Sequence, residues 1–337
     1  MPLHCPYFMK ICIYLLLFVS VPAQSVENES VCDDYESCAA LHVRKSMDSD
    51  LFSRRCELNS MKAVLAQKKF SYIHIPKGGG SSLGHYFTLT GGNRFVTNFH
   101  QPLLVVQSAH PDHTFATMLR EPLYRYISFY NYVNSFDPLK PKMKINKFWN
   151  GSWRKDPVKV WTQDPVILDI MHNEVLYFLH TNSSRFSNPS PYFKEDMWYT
   201  ALQKRSSSEK IQPLLTSDEQ DRSAFVAYTQ EIPEKFQCTE HMHIVYTLLE
   251  LFPIVGVLEE LSYMERSYEN RMSVNVNKVD KEKENYHPKN VSKTHSIFTP
   301  EVIAQMRINL KDTIYCEDVL WKVAKQIARK DYGCLKT

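Results

Sequence analysis

Three times along the chain a short run of apolar, β-branched and aromatic residues ends in a turn and passes into a pattern of helical period. Phe70-Ser71-Tyr72-Ile73-His74-Ile75 is stopped by Pro76 and a glycine triplet, after which Ser81 to Phe87 opens a helix with a serine near its cap. Thr114 to Leu119 repeats the strand pattern, and Pro122 to Tyr132 follows as a helix with proline in its first turn. Pro253 to Leu258 is the third run, and Glu259 to Tyr268 the helix behind it. Strand, turn and helix in that order need a crossover connection, so the pattern predicts an α/β fold with a central parallel sheet flanked by helices.

Between these units the pattern is weaker. A helix is expected around Val166 to His180, and Glu301 to Ala328 carries apolar residues at helical spacing, as two helices meeting near Thr313. A Lys-rich stretch runs from Phe136 to Lys159, and a Ser/Asn/Pro loop leads to Tyr192. A polar stretch occupies Lys204 to Lys210, and Lys278 to Lys293 mixes charges without apolar periodicity and reads as a loop. No repeat of the solenoid kind is present. Three parts result: residues 1–23, a targeting segment; residues 24–65, polar, acidic at first and Cys-bearing, a stem or N-terminal arm; and residues 66–337, the domain proper.

Composition narrows the class. With 43% hydrophobic and 12% aromatic residues and 18 Pro against 9 Gly, the 337-residue chain can bury a sizeable core, which excludes collagen-like, coiled-coil and wholly disordered readings. A net charge of +3 is too small to imply a nucleic-acid partner, and any polyanion site must come from local clustering.

Residues Ile11 to Ala23 form an apolar run behind Lys10 and end in Val21-Pro22-Ala23, which suits a signal peptidase. Thirteen residues at about 1.5 Å each reach about 20 Å, short of a hydrocarbon core of about 30 Å, so a cleaved signal peptide fits the grammar better than an anchor. An anchor stays open because Pro6 to Met9 extend the apolar segment if Lys10 snorkels. Either way the remainder enters the secretory lumen, and any membrane contact is confined to this segment. Cys5 and Cys12 lie within it; Cys32, Cys38, Cys56, Cys238, Cys316 and Cys334 are an even set in an oxidising compartment, with 15 possible pairings. Sequons at Asn28, Asn150, Asn182 and Asn290 agree with a luminal glycoprotein.

Two segments carry chemistry. In His74-Ile75-Pro76-Lys77-Gly78-Gly79-Gly80-Ser81-Ser82, consecutive glycines after a strand let backbone N–H groups share one concavity, and the next helix adds its positive end, which suits a phosphate. Lys77 adds a point charge and Ser81 and Ser82 add hydroxyls, although the lysine precedes the glycines, the reverse of a Walker loop. In Leu119-Arg120-Glu121-Pro122-Leu123-Tyr124-Arg125-Tyr126-Ile127-Ser128, an Arg at a strand end and a Ser two turns into the helix can converge on a second phosphate. Taken alone, Arg125 and Ser128 could equally be surface residues.

Together these segments resemble the two phosphosulfate-binding signatures of Golgi carbohydrate sulfotransferases, in particular the group of heparan sulfate 2-O-, uronyl 2-O- and heparan sulfate 6-O-sulfotransferases. Val255 to Leu261, and Lys293-Thr294 before the Pro300-Glu301 helix start, are similar too, so the resemblance spans about Phe70 to Ala328. It implies a P-loop-like sulfotransferase fold that transfers a sulfuryl group from 3′-phosphoadenosine-5′-phosphosulfate (PAPS) to a sugar hydroxyl, with no metal. The implied nucleotide-binding residues are Lys77, Gly78, Gly79, Gly80, Ser81 and Ser82 for the 5′-phosphosulfate, Arg120 and Ser128 for the 3′-phosphate, and Lys293 and Thr294 from a loop closing over the nucleotide. Gly78 departs from the commonest form, which has Thr there; the change removes a hydroxyl and is expected to loosen the loop. Ser81 for Thr is conservative.

The resemblance also implies a catalytic histidine upstream of the second predicted strand. His100 is the candidate base, with His110 and His113 as rivals that could be turn histidines, and Lys77 acts beside it. A zinc reading of Cys238, His241 and His243 is weaker than a disulfide cysteine beside a helical histidine pair. From Phe136 to Lys159 seven Lys and Arg face two Asp with Phe148, Trp149, Trp153 and Trp161 nearby, and Lys140, Lys142, Lys144, Lys147 and Arg154 are the candidate acceptor-binding residues for a sulfated or uronic-acid polysaccharide. The expected acceptor is a uronic-acid 2-hydroxyl of a glycosaminoglycan-like chain. The alternatives are a hexosamine 6-hydroxyl or a galactose, or a catalytically silent secreted polyanion binder. The expected location is the Golgi lumen, as a type II membrane protein, or outside the cell.

Overall fold

The computed structural model describes residues 32–98, 101–134, 162–163, 165–181, 214–215, 219–274 and 298–336. Among them four strands form one parallel sheet: β1 (Phe70–Ile73), β2 (Phe95–Asn98), β3 (Thr114–Leu119) and β4 (Ile254–Val257), in the order β2-β1-β3-β4. Three of these match the three apolar runs. β2 was not anticipated, because Phe95-Val96-Thr97-Asn98 has only two apolar residues and ends in Asn, so it lacks the apolar run that marks the equally short β1 and β4.

β1, β3 and β4 are buried along their whole length, as expected where helices cover both faces of a parallel sheet. The register sorts their side chains. Phe70, Tyr72, Ala116, Met118 and Ile254 form one cluster with Leu83, Tyr86 and Phe87 of α2 (Gly80–Gly91) and with Met264 and Tyr268. Phe87 packs edge-on against Phe70, with ring centres 4.9 Å apart, and lies 4.7 Å from Tyr268. Ile73, Phe115, Leu119, Val255 and Val257 belong to a larger cluster on the other face. That face is covered by α4 (Pro122–Asn134), α5 (Pro165–Leu179), α7 (Thr239–Leu251) and α10 (Tyr315–Gly333). The other helices of seven residues or more among the described residues are α1 (Tyr35–Met47), α3 (Leu103–Ala109), α6 (Glu219–Ala227), α8 (Leu261–Arg271) and α9 (Pro300–Leu310). The predicted break near Thr313 is the gap between α9 and α10. The helix expected from Glu259 begins two residues later, after a 3₁₀ turn at Leu258–Glu260.

From Cys32 onward, the stretch read as a stem is part of the same compact unit as the rest of the chain. α1 has a capping box, Asp34 accepting from Ser37 N at 2.8 Å while Asp34 N donates to Ser37 Oγ, and it packs on α10. Behind it Arg55 is fully buried: it reaches Asp331 of α10 (Nε–Oδ1 2.9 Å) and donates to Phe252 O at 2.8 Å. Arg271 of α8 shares the same carboxylate, Nη2 to Oδ1 at 3.0 Å, and also donates to Pro253 O. A polar sequence hides this, because Arg55, one of the residues that make the segment look solvated, is paired with a buried carboxylate.

The six cysteines from Cys32 onward pair as Cys32–Cys38, Cys56–Cys334 and Cys238–Cys316, one of the 15 possible sets. Cys238 is therefore a disulfide residue and not a zinc ligand. Three disulfides fit an oxidising lumen or a secreted location. Among the described residues no helix is long and apolar enough to cross a membrane.

Candidate functional site

The connections from β1 and β3 leave the sheet on opposite sides, α2 toward the Phe70/Tyr72 face and α4 toward the Ile73/Leu119 face. The carboxyl ends of two adjacent strands whose connections diverge leave a crevice, the usual ligand position in open α/β sheets. Lys77 follows β1 by four residues and Arg120 follows β3 by one, so both signatures arrive at this crevice. Arg120 Nη1 reaches Lys77 O at 3.5 Å.

The turn itself is built by backbone constraint. Lys77 has φ 61° and Gly79 φ 89°, two left-handed residues within three, and Gly79 is the N-cap of α2. The expected serine cap is thus replaced by glycine, and Ser81 and Ser82 fall in the first turn, next to Gly80. Gly78 N donates to Ile75 O at 3.1 Å. A Cβ on Gly78 would stand 2.9 Å from Met118 O and 3.1 Å from Ile75 O, both backbone atoms. The loop is therefore packed tightly on the end of β3 and not loosened, and the departure from Thr is what lets the turn lie against that strand.

Both cations are partly withdrawn from water. Burial lowers the Lys77 pKa, with Arg120 adding to the effect and Glu174 opposing it. Burial lowers that of Arg120 too, opposed by Glu259 and Glu121. These carboxylates order the rim: Glu259 accepts from Glu121 N at 3.0 Å and from Trp321 Nε1 at 3.1 Å, while Glu121 accepts from Tyr124 N at 2.9 Å and pairs with Arg307 at 3.1 Å. Ser128 is buried on α4, as is Arg125, so neither is the surface residue that the sequence alone allowed.

Arg125 points inward to two carboxylates. It donates from Nη1 to Glu174 of α5, and from Nη2 to both oxygens of Glu317 of α10, at 2.9 and 2.7 Å, and to Met171 O at 2.7 Å. A small cavity lined by Ile75, Leu119, Arg120, Arg125, Val175 and Glu317 joins this triad to the strand ends. Sequence reasoning missed Glu174 and Glu317. The available signal was a glutamate inside the apolar run Ile167 to Leu179, which has to find a buried partner.

The histidine rivals are corrected. His113 precedes Thr114, the first residue of β3, so His110 and His113 lie at the amino edge, a strand's length of about 20 Å from Arg120. His113 Nδ1 shares a 2.7 Å hydrogen bond with buried Ser71, its ring stacks on His110 at 4.4 Å, and burial lowers its pKa, aided by His110. They are packing residues. His100 lies outside the described residues, but Asn98, two positions before it, pairs with Ile73 at the carboxyl end of β2. Lys293, Thr294, Lys140, Lys142, Lys144, Lys147 and Arg154 also lie outside the described residues. In comparison with known proteins, the chain matches no protein-family model, no curated protein and no solved structure, so its own geometry carries the functional reading.

Proposed function

We propose that the protein is a PAPS-dependent carbohydrate O-sulfotransferase of the Golgi lumen, acting on a uronic-acid 2-hydroxyl of a glycosaminoglycan-like chain. The observation that carries this reading is the convergence of Lys77, on a glycine turn at the start of α2, with Arg120 at the β1/β3 crevice. Two cations, glycine backbone and a helix N-terminus suit a ligand with two separate anionic groups, as this nucleotide has. The steric demand at Gly78 and Gly79 keeps the turn's backbone, and not side chains, against the strand ends.

In this reading the Lys77 turn holds the 5′-phosphosulfate, and Arg120 with Ser128 holds the 3′-phosphate. The acceptor hydroxyl loses its proton to His100 as its oxygen bonds to sulfur and the sulfur–oxygen bond to the 5′-phosphate breaks; Lys77 offsets charge on the departing phosphate. The test is incubation of the luminal protein with radiolabelled PAPS and a panel of desulfated glycans, followed by disaccharide analysis. Label in the 2-O-sulfated uronic acid supports the assignment, label in a hexosamine 6-position or galactose moves the acceptor, and binding of glycan with no transfer leaves the silent polyanion binder.

A further inference from the structure

Beneath Lys77 the buried charges do not balance. Glu174 and Glu317, 1% and 3% exposed, share the single guanidinium of Arg125, itself 2% exposed. Two carboxylates against one guanidinium leave one negative charge in excess where water cannot screen it, a state that needs either a second cation or a proton. The charged and titratable groups facing the pair are Arg125 and Tyr126 from α4, His172 from α5, which acts on Glu317, Arg120 after β3, which lines the small cavity beside Arg125 and Glu317, and Lys77 from the turn after β1, which acts on Glu174. Besides Arg125, Lys77 is the cation whose charge acts on Glu174. Burial lifts the Glu174 carboxyl to about 7, with Arg125 and Lys77 opposing and Glu317 adding to the rise.

Resting on the reading of Lys77 as the anion-binding lysine, we propose that Glu174 is a positioning residue that balances Lys77 in the ligand-free protein and takes a proton from solvent when an anion binds there. The anion both occupies the ammonium and brings its own negative charge, and the two effects push Glu174 toward its neutral form. The sign follows. Well below pH 7 Glu174 is already protonated and binding takes up nothing. Above pH 7 uptake approaches one proton, and affinity falls as pH rises toward the bound-state pKa, by up to tenfold per pH unit.

Calorimetric titration with 3′-phosphoadenosine-5′-phosphate between pH 7.0 and 8.5, in two buffers of different ionisation heat, measures that proton directly. Phosphomonoesters are mostly dianionic across this range, their second pKa being near 6. Wild type should show uptake rising with pH and a Kd that weakens severalfold across the range. Glu174→Gln should bind with a flat Kd and no uptake, and Glu317→Gln, which leaves Glu174 matched one to one with Arg125, should lose the uptake as well. Binding by wild type without uptake overturns the proposal and leaves the nucleotide reading standing; so does uptake that persists in Glu174→Gln, which would place the proton on Lys77. Absence of nucleotide binding by wild type overturns both. The wild-type measurement stands without either variant if they fail to fold.

Discussion

Gly78 lies so close to Met118 that a Cβ on it would stand 2.9 Å from the Met118 carbonyl oxygen, nearer than side-chain carbons approach backbone oxygens. The contact is between the turn after β1 and the strand that Arg120 follows, so it sets how closely the two signatures can approach.

Gly78→Thr, which restores the commoner form of the loop, is expected to push the turn off β3 at a cost of about 1–3 kcal/mol, the range of overpacking strain, and to weaken nucleotide binding. Thermal unfolding and nucleotide titration check it. A threonine variant as stable as wild type and binding as tightly would show that the turn has room this geometry denies.

Lys77→Ala and Arg120→Ala should each abolish transfer while leaving the protein folded; Arg120→Ala should keep the Tm near that of wild type, whereas Lys77→Ala, which takes a cation away from buried Glu174, should lose Tm as pH rises above 7. Each removes a charge-assisted contact to a phosphate, worth about 1.5–3 kcal/mol, and neither is a partner in the buried triad's direct hydrogen bonds. Calorimetry with 3′-phosphoadenosine-5′-phosphate decides: undiminished binding in either variant removes that residue from the nucleotide site.

A base acts in transfer and not in nucleotide binding. His100→Ala should therefore lower turnover by about 10²–10⁴ with nucleotide affinity little changed, whereas His110→Ala should leave turnover intact because that histidine stacks at the opposite edge of the sheet. Normal turnover in His100→Ala, or loss of it in His110→Ala, would reverse the assignment.

Asp331→Ala leaves Arg55 and Arg271 buried without their shared carboxylate. Removing one partner of a buried ion pair costs about 3–5 kcal/mol, and here two guanidiniums are stranded. Urea unfolding should show a lower midpoint with a similar slope. Stability within about 1 kcal/mol of wild type would mean that the two arginines relax to water, and that the segment before β1 is held by Cys56–Cys334 and apolar contacts instead.

The α/β class, three of the four described strands and the glycine turn and Arg120 strand end that meet at the crevice were legible in the sequence because each is local: an apolar run of five or six residues, a glycine turn, a helix period. The same locality explains β2, which has two apolar residues and no apolar run to mark it. It also explains His110 and His113, which lie only a few residues from Arg120 in the chain yet fall at the far end of the strand that separates them. Partnerships across the fold had no local trace. Nothing near Arg125 announces Glu317, 192 residues away, and nothing near Arg55 announces Asp331, 276 residues away. The cysteine pairing is of the same kind, since an even count in an oxidising compartment demands disulfides but only packing brings α7 and α10 together at Cys238 and Cys316. What the sequence determined by itself is which backbone pieces form and which of them carry a cation at their ends. Which charges are buried, and which of them must share a partner, was decided only when the helices closed on the sheet, because desolvation and pairing depend on neighbours that the chain order does not supply.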